Sequence, residues 1–93
     1  MASLDAFAFA EPALAYLSTI PAGKLRGQVL RKARSLAENT YPPGCKRMED
    51  VMDGELSVFR VRSGDYRILY SVRPGPYVVV LDIGNRKDVY RGT

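Results

Sequence analysis

The tightest constraint on this chain lies between Glu55 and Ile83, where three strand-length stretches follow one another with very little chain between them. Glu55 to Arg62, Asp65 to Val72 and Tyr77 to Ile83 are separated only by Ser63-Gly64 and by Arg73-Pro74-Gly75-Pro76. Connections this short join antiparallel neighbours, because a parallel pair needs a crossover of a dozen or more residues. Gly and Pro at both junctions supply the turn chemistry. A three-stranded antiparallel meander is therefore expected at the C-terminal half of the chain.

The N-terminal half reads as one strand and two helices. Ser3 to Ala10 alternates Leu4, Ala6, Ala8 and Ala10 against Phe7 and Phe9, as a strand does. Glu11-Pro12 then opens a helix, since proline suits the first turn and a carboxylate there suits the helix dipole. Ala13, Tyr16, Leu17 and Ile20 fall at helical spacing, and Pro21 and Gly23 end the run. A second helix is expected from Lys24 to Glu38, with Leu25, Val29, Ala33 and Leu36 on its apolar stripe and Lys24, Arg31, Lys32 and Arg34 on a solvated outer face. Asn39 to Gly44 is a turn-rich loop, and the stretch from there to Gly54 reads as irregular. The expected fold is α+β in the order βααβββ, a helical hairpin packed on one face of a small antiparallel sheet. With 93 residues, the chain has material for a single domain over 1–93.

Alternation sorts the strand side chains into two sets. Phe59 and Val61 belong with Tyr66, Ile68 and Tyr70 against the helices, which leaves Arg60, Arg62 and Arg67 together on the open face of one hairpin. Like charges gathered across a hairpin are destabilising, so such a cluster is either screened by water or used on an anion. The formal net charge of +4 favours anionic partners in the same direction. Arg86, Lys87, Tyr90 and Arg91 then leave the third strand, with Gly84 placed to let the chain bend over that face.

What is missing narrows the chemistry. The chain has no histidine and one cysteine, Cys45. That removes the commonest general base near neutral pH and every His-containing triad. It also rules out an internal disulfide, in keeping with a reducing cytoplasm. No spacing of ligands suggests a metal, and no cofactor is expected. The apolar run Ala6 to Ala10 is far short of the ~20 residues needed to cross a bilayer, so no membrane partner is expected.

The segments Arg62-Ser63-Gly64-Asp65-Tyr66-Arg67-Ile68-Leu69-Tyr70 and Gly84-Asn85-Arg86-Lys87-Asp88-Val89-Tyr90, in this order around a valine-rich strand, resemble the RelE/ParE superfamily of type II toxins. The Arg-to-Tyr ending is similar to the RelE branch. The resemblance implies a ribosome-dependent endoribonuclease that cuts mRNA by attack of a ribose 2′-hydroxyl on the adjacent phosphodiester. Arg67 would stabilise the phosphorane, Arg86 would sit near the leaving oxygen, Tyr90 would act as base or positioning group, and Arg60 would add charge. An unperturbed phenol is ionised in only roughly a thousandth of molecules at pH 7, and neighbouring arginines would favour its phenolate. Arg62, Lys46, Arg47, Lys87 and Arg91 are expected to contact RNA. Val58 departs from the family pattern, standing where RelE members carry a strand lysine. The implied partners are a RelB-like antitoxin, the ribosome with its mRNA, and operator DNA through the antitoxin complex. Two other readings stay open: a ParE-like inhibitor of DNA gyrase, and a catalytically silent protein that binds only antitoxin or DNA.

Overall fold

The computed structural model describes residues 7–85. Its elements are β1 (Phe7–Phe9), α1 (Glu11–Leu17), α2 (Lys24–Ser35), β2 (Lys46–Asp53), β3 (Leu56–Ser63), β4 (Tyr66–Arg73) and β5 (Tyr77–Asn85). They form one sheet in the order β1-β5-β4-β3-β2, with both helices on the same side of it. The α+β architecture and the C-terminal meander are those expected.

Two features depart from the expected βααβββ order on an antiparallel sheet, an added strand and a parallel pair. The stretch read as irregular is a strand, β2, paired antiparallel to β3 along the sheet edge. Its register jumps between Met48, opposite Val58, and Met52, opposite Ser57, so residues 49–51 bulge out of the ladder. That interruption hides the period-2 alternation by which strands are recognised. The exposed Glu49 and Asp50 in the bulge also suit an edge, where charge discourages pairing with another chain. At the other side β1 runs parallel to β5, Phe7 opposite Val78 and Phe9 opposite Val80, so the sheet is mixed and not wholly antiparallel.

The two hairpins at the β2 side of the sheet are set by glycine. Asp53 faces Leu56 and Ser63 faces Tyr66 across two-residue loops. Each loop begins with a glycine at positive φ, +64° at Gly54 and +61° at Gly64. A positive φ at the first loop residue alone matches the II′ turn, whose twist suits paired strands.

The core lies between the helices and one face of the sheet. Ala13, Leu17 and Ile20 from α1 and its exit meet Val29, Ala33 and Leu36 and the strand residues Val61, Ile68, Tyr70, Val78, Val80 and Ile83. Leu25, predicted on the apolar stripe of α2, is instead exposed. The first turn of α2 is fastened to the exit of α1, where Arg26 Nε donates to the Ile20 carbonyl at 2.9 Å. Tyr70 is completely buried, and its hydroxyl donates to the Thr40 carbonyl at 2.7 Å, tying β4 to the loop after α2. Burial pushes the Tyr70 phenol well above its ordinary value of 10, with the adjacent Cys45 thiol adding to the effect.

Candidate functional site

On the sheet face turned away from the helices, the strand register lays side chains out in rows. Lys46, Arg60, Leu69 and Asp82 form one row, each opposite the next. Arg62, Arg67 and Gly84 form the adjoining row, nearer the Gly64 turn. The predicted convergence of Arg60, Arg62 and Arg67 is therefore present, and Lys46 joins it.

A bulge in β5 makes this arrangement possible. Leu69 pairs with Asp82 but Tyr70 pairs with Val80, so Leu81 is an extra residue. Because the side-chain period of a strand is 2, one inserted residue exchanges the faces. Val78 and Val80 point to the core before the bulge, and Ile83 does so after it. Gly84 is thereby placed opposite Arg67, inside β5, and does not bend the chain away from the sheet as expected. A residue without a side chain is the direct neighbour of a long guanidinium, and both are buried.

Arg67 is only 6 % exposed, an unusual state for an arginine. Its Nε and Nη1 atoms are shut off from solvent, as is Nε of Arg60. Arg62, directly opposite Arg67, is exposed. Arg62 and Arg67 line a recess of about 20 Å³ together with Gly64 and Asp65. A larger notch of about 250 Å³ lies beside it, lined by Lys32, Pro43, Gly44, Lys46, Arg60, Val61 and Arg62. Burial holds the Arg67 fork in one orientation, which is the requirement for bidentate recognition of an anion's oxygens.

The opposite end of the same face is neutralised. Ser71 Oγ donates to Asp53 Oδ2 at 2.7 Å, and Arg73 Nη2 meets the same oxygen at 3.0 Å. The Ser71 hydroxyl, and after it Arg73, holds the Asp53 carboxyl below its ordinary value of 3.8. Toward Gly64 the bases Lys46, Arg60, Arg62 and Arg67 outnumber the carboxylates Asp65 and Asp82, and Lys46 and Arg62 make no ion pair among the described residues.

Between these ends Met48, Val58 and Val79 form an apolar stripe around the buried Ser71. Val58 is 0 % exposed, so the position that departs from the family pattern is part of a packed stripe. Val58→Lys is expected to lower stability by at least ~2 kcal/mol, because an ammonium would be placed in that stripe. The melting temperature should fall by roughly 10 °C or more. A variant that melted with the parent would show that a lysine there reaches water.

The remaining predicted residues divide simply. Arg47 is exposed but lies opposite Phe59, whose ring packs against the core cluster, so it faces away from Arg60 and Arg67. Arg86, Lys87, Tyr90 and Arg91 lie outside the described residues. Lys32, read from the sequence as part of a solvated helix face, is half-buried and lines the notch. Helical periodicity could not reveal this, because the notch is made by a loop and a strand distant in sequence.

A family model described as the ParE toxin of the type II toxin-antitoxin system parDE matches residues 8–90. The chain belongs to the RelE/ParE toxin superfamily. Solved structures agree with this assignment in fold. The archaeal RelE-RelB complex from Pyrococcus horikoshii OT3 contains a chain 23 % identical to this one, with a TM-score of 0.69 over 86 % of this chain and 92 % of that one. The RelB-RelE antitoxin-toxin complex from Methanococcus jannaschii gives 20 % identity and a TM-score of 0.67, covering 90 % and 95 %. No curated protein sequence matches. As in those structures, two helices lie on a five-stranded mixed sheet. Among the described residues of this RelE/ParE toxin, no helix is long and apolar enough to cross a membrane.

Proposed function

We propose that this toxin is an endoribonuclease that cuts mRNA on the ribosome, using the arginine cluster on the far face of the sheet. The observation that carries this reading is the burial of Arg67 at 6 % exposure, opposite Gly84 and beside the positions that hold Arg60 and Arg62. A fixed guanidinium in a water-poor surrounding is suited to charge that develops during reaction.

Cleavage by the neighbouring ribose uses one proton from the 2′-hydroxyl. The O2′–P bond forms, the P–O5′ bond breaks, and the 5′-oxygen takes up a proton, leaving a 2′,3′-cyclic phosphate and a 5′-hydroxyl. Arg67 binds the non-bridging oxygens as the phosphorane forms, with Arg60 and Arg62 adding positive charge beside it. Tyr90 serves as base or positioning group and Arg86 stands at the leaving oxygen. The guanidinium charges supply what a metal ion would otherwise provide at the phosphate. A RelB-like antitoxin with acidic segments is the natural cytoplasmic partner, since opposite charge would speed capture of this basic face. Operator DNA is then met through the toxin-antitoxin complex.

The ParE name of the matching family model supports a second reading, inhibition of DNA gyrase. Inducing the chain alone in bacteria and mapping an abundant message by primer extension separates the two. The nuclease reading expects cuts at in-frame codon positions that disappear, or are sharply reduced, in Tyr90→Phe. Growth arrest with intact messages and a DNA-damage response would replace it with the gyrase reading.

A further inference from the structure

The notch beside the arginine cluster lies where β2 stops short of the end of β3: both strands have eight residues, but the bulge takes three of those in β2 out of the ladder. Lys46, its first residue, lies opposite Arg60, so residues 61–63 of β3 have β4 on one side and no β2 residue on the other. The gap is closed off by Pro43 and Gly44 from the loop and by Lys32 from α2, giving a volume of about 250 Å³. Three bases besides Arg60 line it, and its lining contains no carboxylate. Lys32, Lys46 and Arg62 make no ion pair among the described residues.

The last turn of a helix favours cations, and this accounts for a base near Lys32 but not for its placement. Arg34 sits in the same turn and is exposed, whereas Lys32 is half-buried at the notch. Arg60 and Arg62 belong both to the notch and to the rows beside Arg67, so the positive surface is continuous from one to the other. The few residues of β3 left uncovered, bounded by the loop and the Gly64 turn, offer little template for an added peptide strand.

We propose that this notch is a second phosphate subsite, in which Lys32 and Lys46 hold a backbone phosphate further along the same RNA strand whose scissile phosphate lies at Arg67. The subsite rests on the nuclease reading and adds to it a residue from the helical layer. It fixes the direction in which the strand leaves the sheet, across the end of β2 toward α2.

The test measures binding of a short 2′-O-methyl RNA, which cannot be cleaved because its 2′-oxygens are blocked, to the purified toxin over a range of salt. Lys32→Gln/Lys46→Gln should weaken binding about ten-fold and reduce the slope of log K against log salt by about 0.7 for each phosphate no longer neutralised. Lys32→Arg/Lys46→Arg should restore both. Unchanged melting temperatures would assign the effect to the notch and not to folding. Parental affinity and slope in the glutamine variant, or no binding by the parent at low salt, would overturn the subsite. So would a poly-glutamate peptide that competes as well as RNA and depends on the same two lysines. None of these results decides the nuclease reading, which stands or falls on message cleavage and its loss in Arg67→Ala.

Discussion

Arg67→Ala is expected to abolish growth arrest on induction and to reduce message cleavage by roughly 100- to 1000-fold, the usual effect of removing one preorganised donor from a developing oxyanion. The expectation follows from position. Arg67 is 6 % exposed and faces a glycine across one strand and an arginine across the other. Nothing in that setting resembles an ordinary solvated surface charge. Arg67→Lys keeps the charge but loses the planar fork, and it should retain only a small part of the activity. Arg62→Gln is the informative contrast. Its side chain is exposed, and its loss relieves a like-charge pair, so stability should hold or rise slightly while RNA binding weakens. Each variant is to be checked by thermal denaturation beside cleavage mapping. Growth arrest by a folded, soluble Arg67→Ala protein would remove the basis of the nuclease reading.

Tyr70→Ala is expected to have the largest effect on stability, a loss of about 3–5 kcal/mol. A chain of this length has roughly 5–14 kcal/mol in total, so a substantial unfolded fraction at growth temperature is the expected outcome. The ring is fully buried and lies 5.9 Å from Phe59 between ring centroids, and its hydroxyl holds the loop before β2 through Thr40. Tyr70→Phe keeps the ring and removes only that bond, at a cost of about 1 kcal/mol. The same residue contributes to alkaline behaviour. Because burial raises the phenol in the folded state, its stabilising contribution is intact below pH 10 and declines as pH climbs above 10. Tyr70→Phe should lose that part of the alkaline decline. Denaturant titrations at neutral pH and at alkaline pH beyond the ordinary phenol range measure both effects. Equal stabilities for Tyr70→Ala and the parent would mean that the core is not centred on β4.

Much of the site is legible in the chain's own pattern. The spacing of Arg60, Arg62 and Arg67 is sufficient for their common face. The two-residue loop is Gly64-Asp65 where Ser63-Gly64 is expected, but that change of loop alters the partners across the hairpin and leaves the faces as they were. The strand at 46–53 is not legible, since its bulge breaks the alternation and its charges resemble those of a loop. Arg47 is grouped with Lys46 by sequence for the same reason. Once the segment is a strand, adjacent residues point to opposite faces, and only Lys46 joins Arg60.

Local spacing is enough to specify the meander, the apolar set of Phe59, Val61, Ile68 and Tyr70, and the gathering of three arginines on the other side. Which of these arginines is buried follows from packing, as does the place of Lys32 in a notch made by elements far away in the chain. Packing likewise fixes the extra residue at Leu81, which turns Ile83 inward and sets Gly84 against Arg67. The difference arises because a local pattern specifies the direction of a side chain only relative to its own strand or helix. Burial and cleft shape depend on which other elements arrive beside it.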